Sequence, residues 1–186
     1  MKPMRADAQR NYARLLAVAE EEIALHGADA SLEQIARVAG VGSGTVRRHF
    51  PTRHALLAAV FRERVDSLCA HAEELRDRPD PRAALLEWLS AVTVSGATIS
   101  GLAVALNRMC ASDPDAPHDH CATSRLTEAG EPLLHRAEAD LTPGITITDL
   151  LALITGIALA TEHHPDPAAE ATRLLGLTLT GISPLR

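Results

Sequence analysis

Aromatic side chains are almost missing from this chain: two Phe, one Tyr and one Trp among 186 residues. A core must therefore come from the Leu, Ala, Val and Ile that dominate its 46% hydrophobic content. Ala and Leu are strong helix formers, so the expectation is an all-α fold. No apolar run approaches the roughly 18 residues that a membrane-spanning helix needs, and the opening "MKPMRADAQRNYARLL" lacks the apolar stretch of a signal peptide. A soluble cytoplasmic protein is expected. Cysteine is scarce and odd in number: Cys69, Cys110 and Cys121, with no CxxC spacing, argue against a disulfide framework or structural zinc. There is no phosphate loop, nucleophile elbow or Walker-type glycine run, so no enzyme is expected. Alternation of apolar and polar residues is also lacking. "GITIT" at 144–148 is the sole strand candidate and is too short to build a sheet.

What is present begins with charge. The net charge is −6, yet residues 1–64 hold 10 Lys+Arg against 7 Asp+Glu, while 65–186 hold 8 against 17. A basic head on an acidic body suggests that the head alone meets a polyanion.

Prolines and helix-cap residues divide the chain. From Asp7 to His26, Tyr12, Leu15, Leu16, Ala19 and Ile23 recur at helical spacing, with Gly27 as a stop and Glu20, Glu21 and Glu22 read as the solvated side. Ser31 precedes a second helix, with Gln34 placed for a capping box. After Pro51, Leu56, Leu57, Val60, Phe61, Val65 and Leu68 stripe a long helix to about Arg76. Asp80-Pro81 and Asp166-Pro167 each offer an Asp N-cap with proline in the first turn. Thr146 and Asp149 form another capping-box pattern. Helices are expected at about 82–96, 97–111 and 122–141, the last carrying a kink or a restart at Pro132, and an exposed loop at 112–120.

Residues 31–50, "SLEQIARVAGVGSGTVRRHF", read as helix, turn, helix. Leu32, Ile35, Ala36 and Ala39 face inward. Gly40 takes the sharp turn that positive φ requires. Val41 and Val46 fill the wedge, Ser43 is placed to cap the second helix, and Phe50 plugs the core. Gly44, Thr45, Arg47, Arg48 and His49 then remain outside. Together with Ser31, with Ser43, and with Thr52 and Arg53 at the positive end of the next helix, they are the candidate DNA contacts. Thr45 and Arg47 are placed for base edges or phosphates.

Residues 10–57 resemble the N-terminal domain of the TetR (tetracycline-repressor-like) transcriptional regulators. The likeness rests on "AEEEIALHGADASLEQIARVAGVGSGTVRRHFPTRHALL", and within it on "IA-x-x-AGV" followed by "G-T-x-x-R-H-F-P-T-R-x-x-L". A weaker likeness joins "EPLLHRAEAD" and "RLLGLTLTGI" to the effector domain of one actinobacterial-type subgroup. The chain departs from the family at Arg47, where a tyrosine that contacts the DNA backbone is usual, and at Arg53, where lysine is more frequent.

The resemblance implies an N-terminal three-helix helix-turn-helix DNA-binding domain at 1–52. It implies a helical ligand-binding and dimerisation domain at 53–186, about nine helices in all. It further implies a homodimer on a near-palindromic double-stranded DNA operator, repression relieved by a small-molecule effector, and a dimer interface from the helices at about 146–163 and 167–182. Trp88, Val92, Leu102, Leu106, Met109 and Cys110 are candidate apolar walls of the effector pocket, with Ser95 and Asn107 placed for hydrogen bonds. Such walls suit a small, mostly apolar effector. The groups His118/His120 with Cys121, and His163/His164, do not have the spacing of a recognised metal site, and no metal or cofactor is expected. Beside the plain reading stand a metal sensor at those groups and a thiol sensor at Cys110 or Cys121. The alternative to the regulator is a helical protein–protein adaptor that has lost DNA binding.

Overall fold

A computed structural model describes residues 3–26, 31–98 and 122–182, with the backbone alone at 3–9, 24–26, 53, 54 and 180–182. The described residues form helices α1 (Pro3–His26), α2 (Leu32–Ala39), α3 (Ser43–His49), α4 (Arg53–Leu75), α5 (Pro81–Thr98), α6 (Ala122–Ala137), a 3-10 turn (Glu138–Asp140), α7 (Ile147–Thr161) and α8 (Pro167–Ile182). No strand occurs among them: "GITIT" holds Gly144 at φ 85° and the N-cap of α7 instead. The all-α expectation is met. Among the described residues no helix is long and apolar enough to cross a membrane. The expected helix at 97–111 beyond Thr98, and the loop at 112–120, lie outside the described residues.

The chain divides into two compact units, Met1–Glu63 and Arg64–Arg186. In the first, α1 packs on α2 and α2 on α3. Leu15, Leu16, Ala19 and Ile23 of α1, Ile35, Ala36 and Ala39 of α2, Val46 of α3, and Phe50, Leu56 and Val60 form its core. Glu22 corrects the sequence reading: it is 7% exposed rather than solvated. The spacing explains this, since 15, 19, 22 and 23 share one face of a 3.6-residue helix.

In the second unit α5 is the hub, packed against α6, α7 and α8. Trp88 is fully buried and its indole N–H donates to the Leu68 carbonyl at 2.9 Å. Gly130 permits this packing: a Cβ there would lie 2.6 Å from the Trp88 ring and 2.7 Å from Ile147 Cδ1. Helix α6 runs through Pro132 without a restart. It is stitched to its surroundings at both ends. Arg125 pairs with Asp66 at 2.5 Å, and the Arg136 guanidinium donates to the carbonyls of Arg76 and Arg78.

Local cap chemistry sets the helix starts. Asp80 Oδ1 accepts from Ala83 N–H at 2.9 Å, and Asp166 Oδ1 from Ala169 N–H at 3.1 Å, with Pro81 and Pro167 in the first turn of each helix. Thr146 and Asp149 make the full reciprocal capping box of α7. Its hydrogen bonds to Thr146 hold the Asp149 carboxyl below the usual aspartate range.

Candidate nucleic-acid interface

The candidate contacts gather on α3 and at the helix starts on either side of it. Ser31 is the N-cap of α2 and its hydroxyl accepts from Gln34 N–H at 3.0 Å. The expected capping box is only half formed, because the Gln34 side-chain oxygen accepts from Arg37 at 2.5 Å instead. Helix α2 ends on Gly40 at φ 67°, the left-handed conformation that glycine adopts without a Cβ clash. Its N–H bonds back to the α2 carbonyls, and the chain turns into α3.

The cap of α3 differs from expectation. Gly42 is the N-cap, with no side-chain cap hydrogen bond, and Ser43 is already the first helical residue. Ser43 stands exposed beside Gly44. Val46 is fully buried and Phe50 nearly so, which anchors the short helix from below. Thr45 is half-buried, while Arg47, Arg48 and His49 are exposed. Anchoring at two positions leaves the remaining face of α3 to solvent. A Cβ built on Gly42 or Gly44 would meet nothing within 4 Å among the described residues, so neither glycine relieves packing among them.

His49 stacks toward α1: its ring centroid lies 5.6 Å from that of Tyr12, and Tyr12 lies 5.5 Å from Phe50. Thr52 caps α4, its hydroxyl oxygen accepting from Ala55 N–H at 3.1 Å. The side chain of Arg53 lies outside the described residues. Arg48 has no ion pair among the described residues. Arg47 does. Its guanidinium donates to Glu33 Oε1 at 2.8 Å, across the turn from α3 to the first turn of α2. Both side chains are about two-thirds exposed, at 65% and 63%. The bond to Arg47 holds the Glu33 carboxyl below the usual glutamate range. Sequence reading missed Glu33, because a pair 14 residues apart depends on how two helices cross.

The effector-pocket candidates are only partly described. Trp88 and Val92 belong to the packed core of the second unit. Ser95 is half-buried, and its carbonyl accepts from Arg64 at 3.3 Å. Leu102, Leu106, Asn107, Met109 and Cys110 lie outside the described residues, as do His118, His120 and Cys121. His163 and His164 are exposed in the turn after α7, where Asp166 N–H donates to His164 Nδ1 at 3.2 Å. Among the described residues no three His, Cys, Asp or Glu side chains are placed to hold a metal ion.

This arrangement has close relatives. Residues 15–60 match the family described as bacterial regulatory proteins, tetR family, and residues 80–184 match the transcriptional regulator SbtR-like C-terminal domain. The chain belongs to the TetR family of transcriptional regulators. Among solved structures, this TetR-family chain is similar to the TetR transcriptional regulator SCO0520 from Streptomyces coelicolor. Identity is 38%, the TM-score is 0.69, and the match covers 94% of this chain and 99% of that one. A TetR regulatory protein from Mycobacterium vanbaalenii is 30% identical with a TM-score of 0.67, covering 97% and 99%. NalD, the secondary repressor of the MexAB-OprM multidrug efflux pump in Pseudomonas aeruginosa, is 26% identical with a TM-score of 0.53, covering 96% and 98%. No curated protein matches. The helix-turn-helix of α2 and α3 lies within the residues that match the tetR family and is the DNA-binding element of this regulator.

Proposed function

We propose that this TetR-family protein is a homodimeric repressor that leaves a near-palindromic operator when a small, mostly apolar effector binds, acting in the cytoplasm. The observation that carries the DNA half of this reading is α3. It is pinned by Val46 and Phe50 and exposes Gly44, Arg47 and Arg48 on the opposite face. Residues 1–52 serve as the DNA-binding domain, with Ser31, Ser43, Thr45, His49, Thr52 and Arg53 joining those three at the interface, and 53–186 as the effector and dimer domain.

The dimer half is supported by the last two helices. On α7, Ala152, Thr155, Gly156, Leu159 and Ala160 are exposed at helical spacing. On the adjacent α8, Thr172, Gly176 and Leu177 are exposed likewise. Leu159 and Leu177 are 48% and 62% exposed and add apolar surface to these stripes, which a second copy would cover. Small residues between them permit close helix approach. A twofold dimer places two recognition helices one DNA turn apart, about 34–36 Å, or further if the dimer is wide.

The effector would lie along α5, where Ser95 is half-buried beside the core residues Val92 and Trp88. Repression by a relative, NalD, supports the sign of regulation. Release follows by population shift: the effector favours a conformer in which α4 holds the heads off register. The coupling is no larger than its preference between the two states.

The test is an operator-driven reporter together with fluorescence anisotropy of protein on the same operator duplex, screened against small apolar molecules. A compound that both frees the duplex and restores the reporter supports the reading. Reporter output that rises with the protein makes it an activator. A folded dimer that binds no duplex, before and after stripping of bound small molecules, makes it an adaptor.

A further inference from the structure

The Glu33–Arg47 pair spans the turn between the two helices of the DNA-binding motif, with both side chains open to solvent. An exposed pair of this kind contributes little to stability, so its consequence lies in what it does to the guanidinium. Arg47 spends one N–H on Glu33 Oε1, leaving the rest of its five-donor fork available in a fixed plane. Its charge is already compensated, so it gains less from a phosphate than Arg48, which has no ion pair among the described residues. Glu33 also lies in the first turn of α2, where the helix dipole favours a carboxylate and where that carboxylate repels a phosphate.

We infer that Glu33 is a specificity-determining positioning residue: it holds Arg47 off the DNA backbone and aims its free donors at a base edge, guanine being the matched acceptor pair. This rests on the repressor reading above. The inference separates Arg47 from an ordinary phosphate contact by two readouts, discrimination and salt slope.

The experiment measures wild type, Glu33→Ala, Arg47→Ala and the double variant by anisotropy. The targets are the selected operator and its single-base-pair variants, across a salt series. Wild type is expected to discriminate at one position per half-site by roughly 5- to 150-fold, the range of a good bidentate contact. Arg47→Ala removes that discrimination and leaves the salt slope nearly unchanged. Glu33→Ala raises affinity for mismatched duplexes more than for the operator. It also steepens the slope by about 0.9, one phosphate contact. In the Arg47→Ala background Glu33→Ala affects all duplexes alike.

The inference is overturned if Glu33→Ala raises affinity for every duplex equally with Arg47 present. It is overturned too if Arg47→Ala lowers the slope by about 0.9 with an equal loss on every sequence. A wild-type protein that prefers no duplex defeats the repressor reading itself. A wild-type protein that discriminates, with Glu33 silent, defeats only this inference.

Discussion

Two glycines show how one residue type serves two ends. Gly130 faces the Trp88 ring, and a Cβ would sit 2.6 Å from it. Gly130→Ala is therefore expected to overpack the second unit and cost about 1–3 kcal/mol, read as a lowered denaturant midpoint. An unchanged midpoint would mean that Trp88 can move, against its full burial. Gly44 has open space around its Cα, so Gly44→Ala should be neutral or favourable to the fold, by up to about 1 kcal/mol from helix propensity. The same change is expected to weaken DNA binding, because the backbone of α3 has to come close to the duplex. Unchanged stability with weakened binding identifies a glycine kept for the interface. Unchanged binding would place α3 further from the groove than proposed.

At the scale of the element, caps decide where helices begin, and the box that starts α7 holds a carboxyl with a lowered pKa. Thr146→Ala removes the N-cap of α7 and is expected to cost about 1 kcal/mol. Asp149 is the other half of the box, with its carboxyl held below the usual range by Thr146. A depressed folded-state pKa contributes stability that is present above the unfolded value and lost as pH falls through the folded one. The gap in stability between wild type and Asp149→Asn should thus be full near neutrality and shrink below about pH 4. Denaturant titrations at both pH values check this, and a gap that grows on acidification would contradict it. These caps were legible in sequence because Ser31, Asp80, Thr146 and Asp166 each act on an amide three residues away. What the sequence concealed depends on neighbours. Whether Gln34 completes its box depends on Arg37, which competes for its side-chain oxygen. Ser43 looked like a cap because it is a good one chemically, yet the backbone enters helix one residue earlier, at Gly42. The Glu33–Arg47 pair needs the crossing of α2 and α3, which no periodicity within either helix contains.

For the whole molecule, the exposed stripes of α7 and α8 bear on assembly. Leu177→Glu puts a charge on the α8 stripe at a residue that is 62% exposed. If that stripe meets its symmetry mate, two like charges approach across the axis, and the protein is expected to sediment as a monomer with its helical content kept. A dimer unchanged by the substitution would move the interface elsewhere. Loss of the dimer should also lower DNA affinity sharply, since a single head holds only half a site. The all-α architecture and the helix-turn-helix were legible because local chemistry fixes each: a glycine at positive φ, a buried valine and phenylalanine, a pair of arginines left outside. The family was legible from the resemblance of residues 10–57. The effector wall was far less legible. Trp88, Val92 and a core leucine have the same signature in sequence, and the structure packs Trp88 and Val92 into the core of the second unit.

As proposed, a dimer of this chain reads DNA through α3. The most direct test is selection from a random duplex library with purified protein, followed by binding to the enriched site across a salt series. A near-palindromic site bound with a steep salt slope is expected, because several phosphates would be contacted. A folded dimer that enriches no sequence, even after bound small molecules are stripped away, would contradict it.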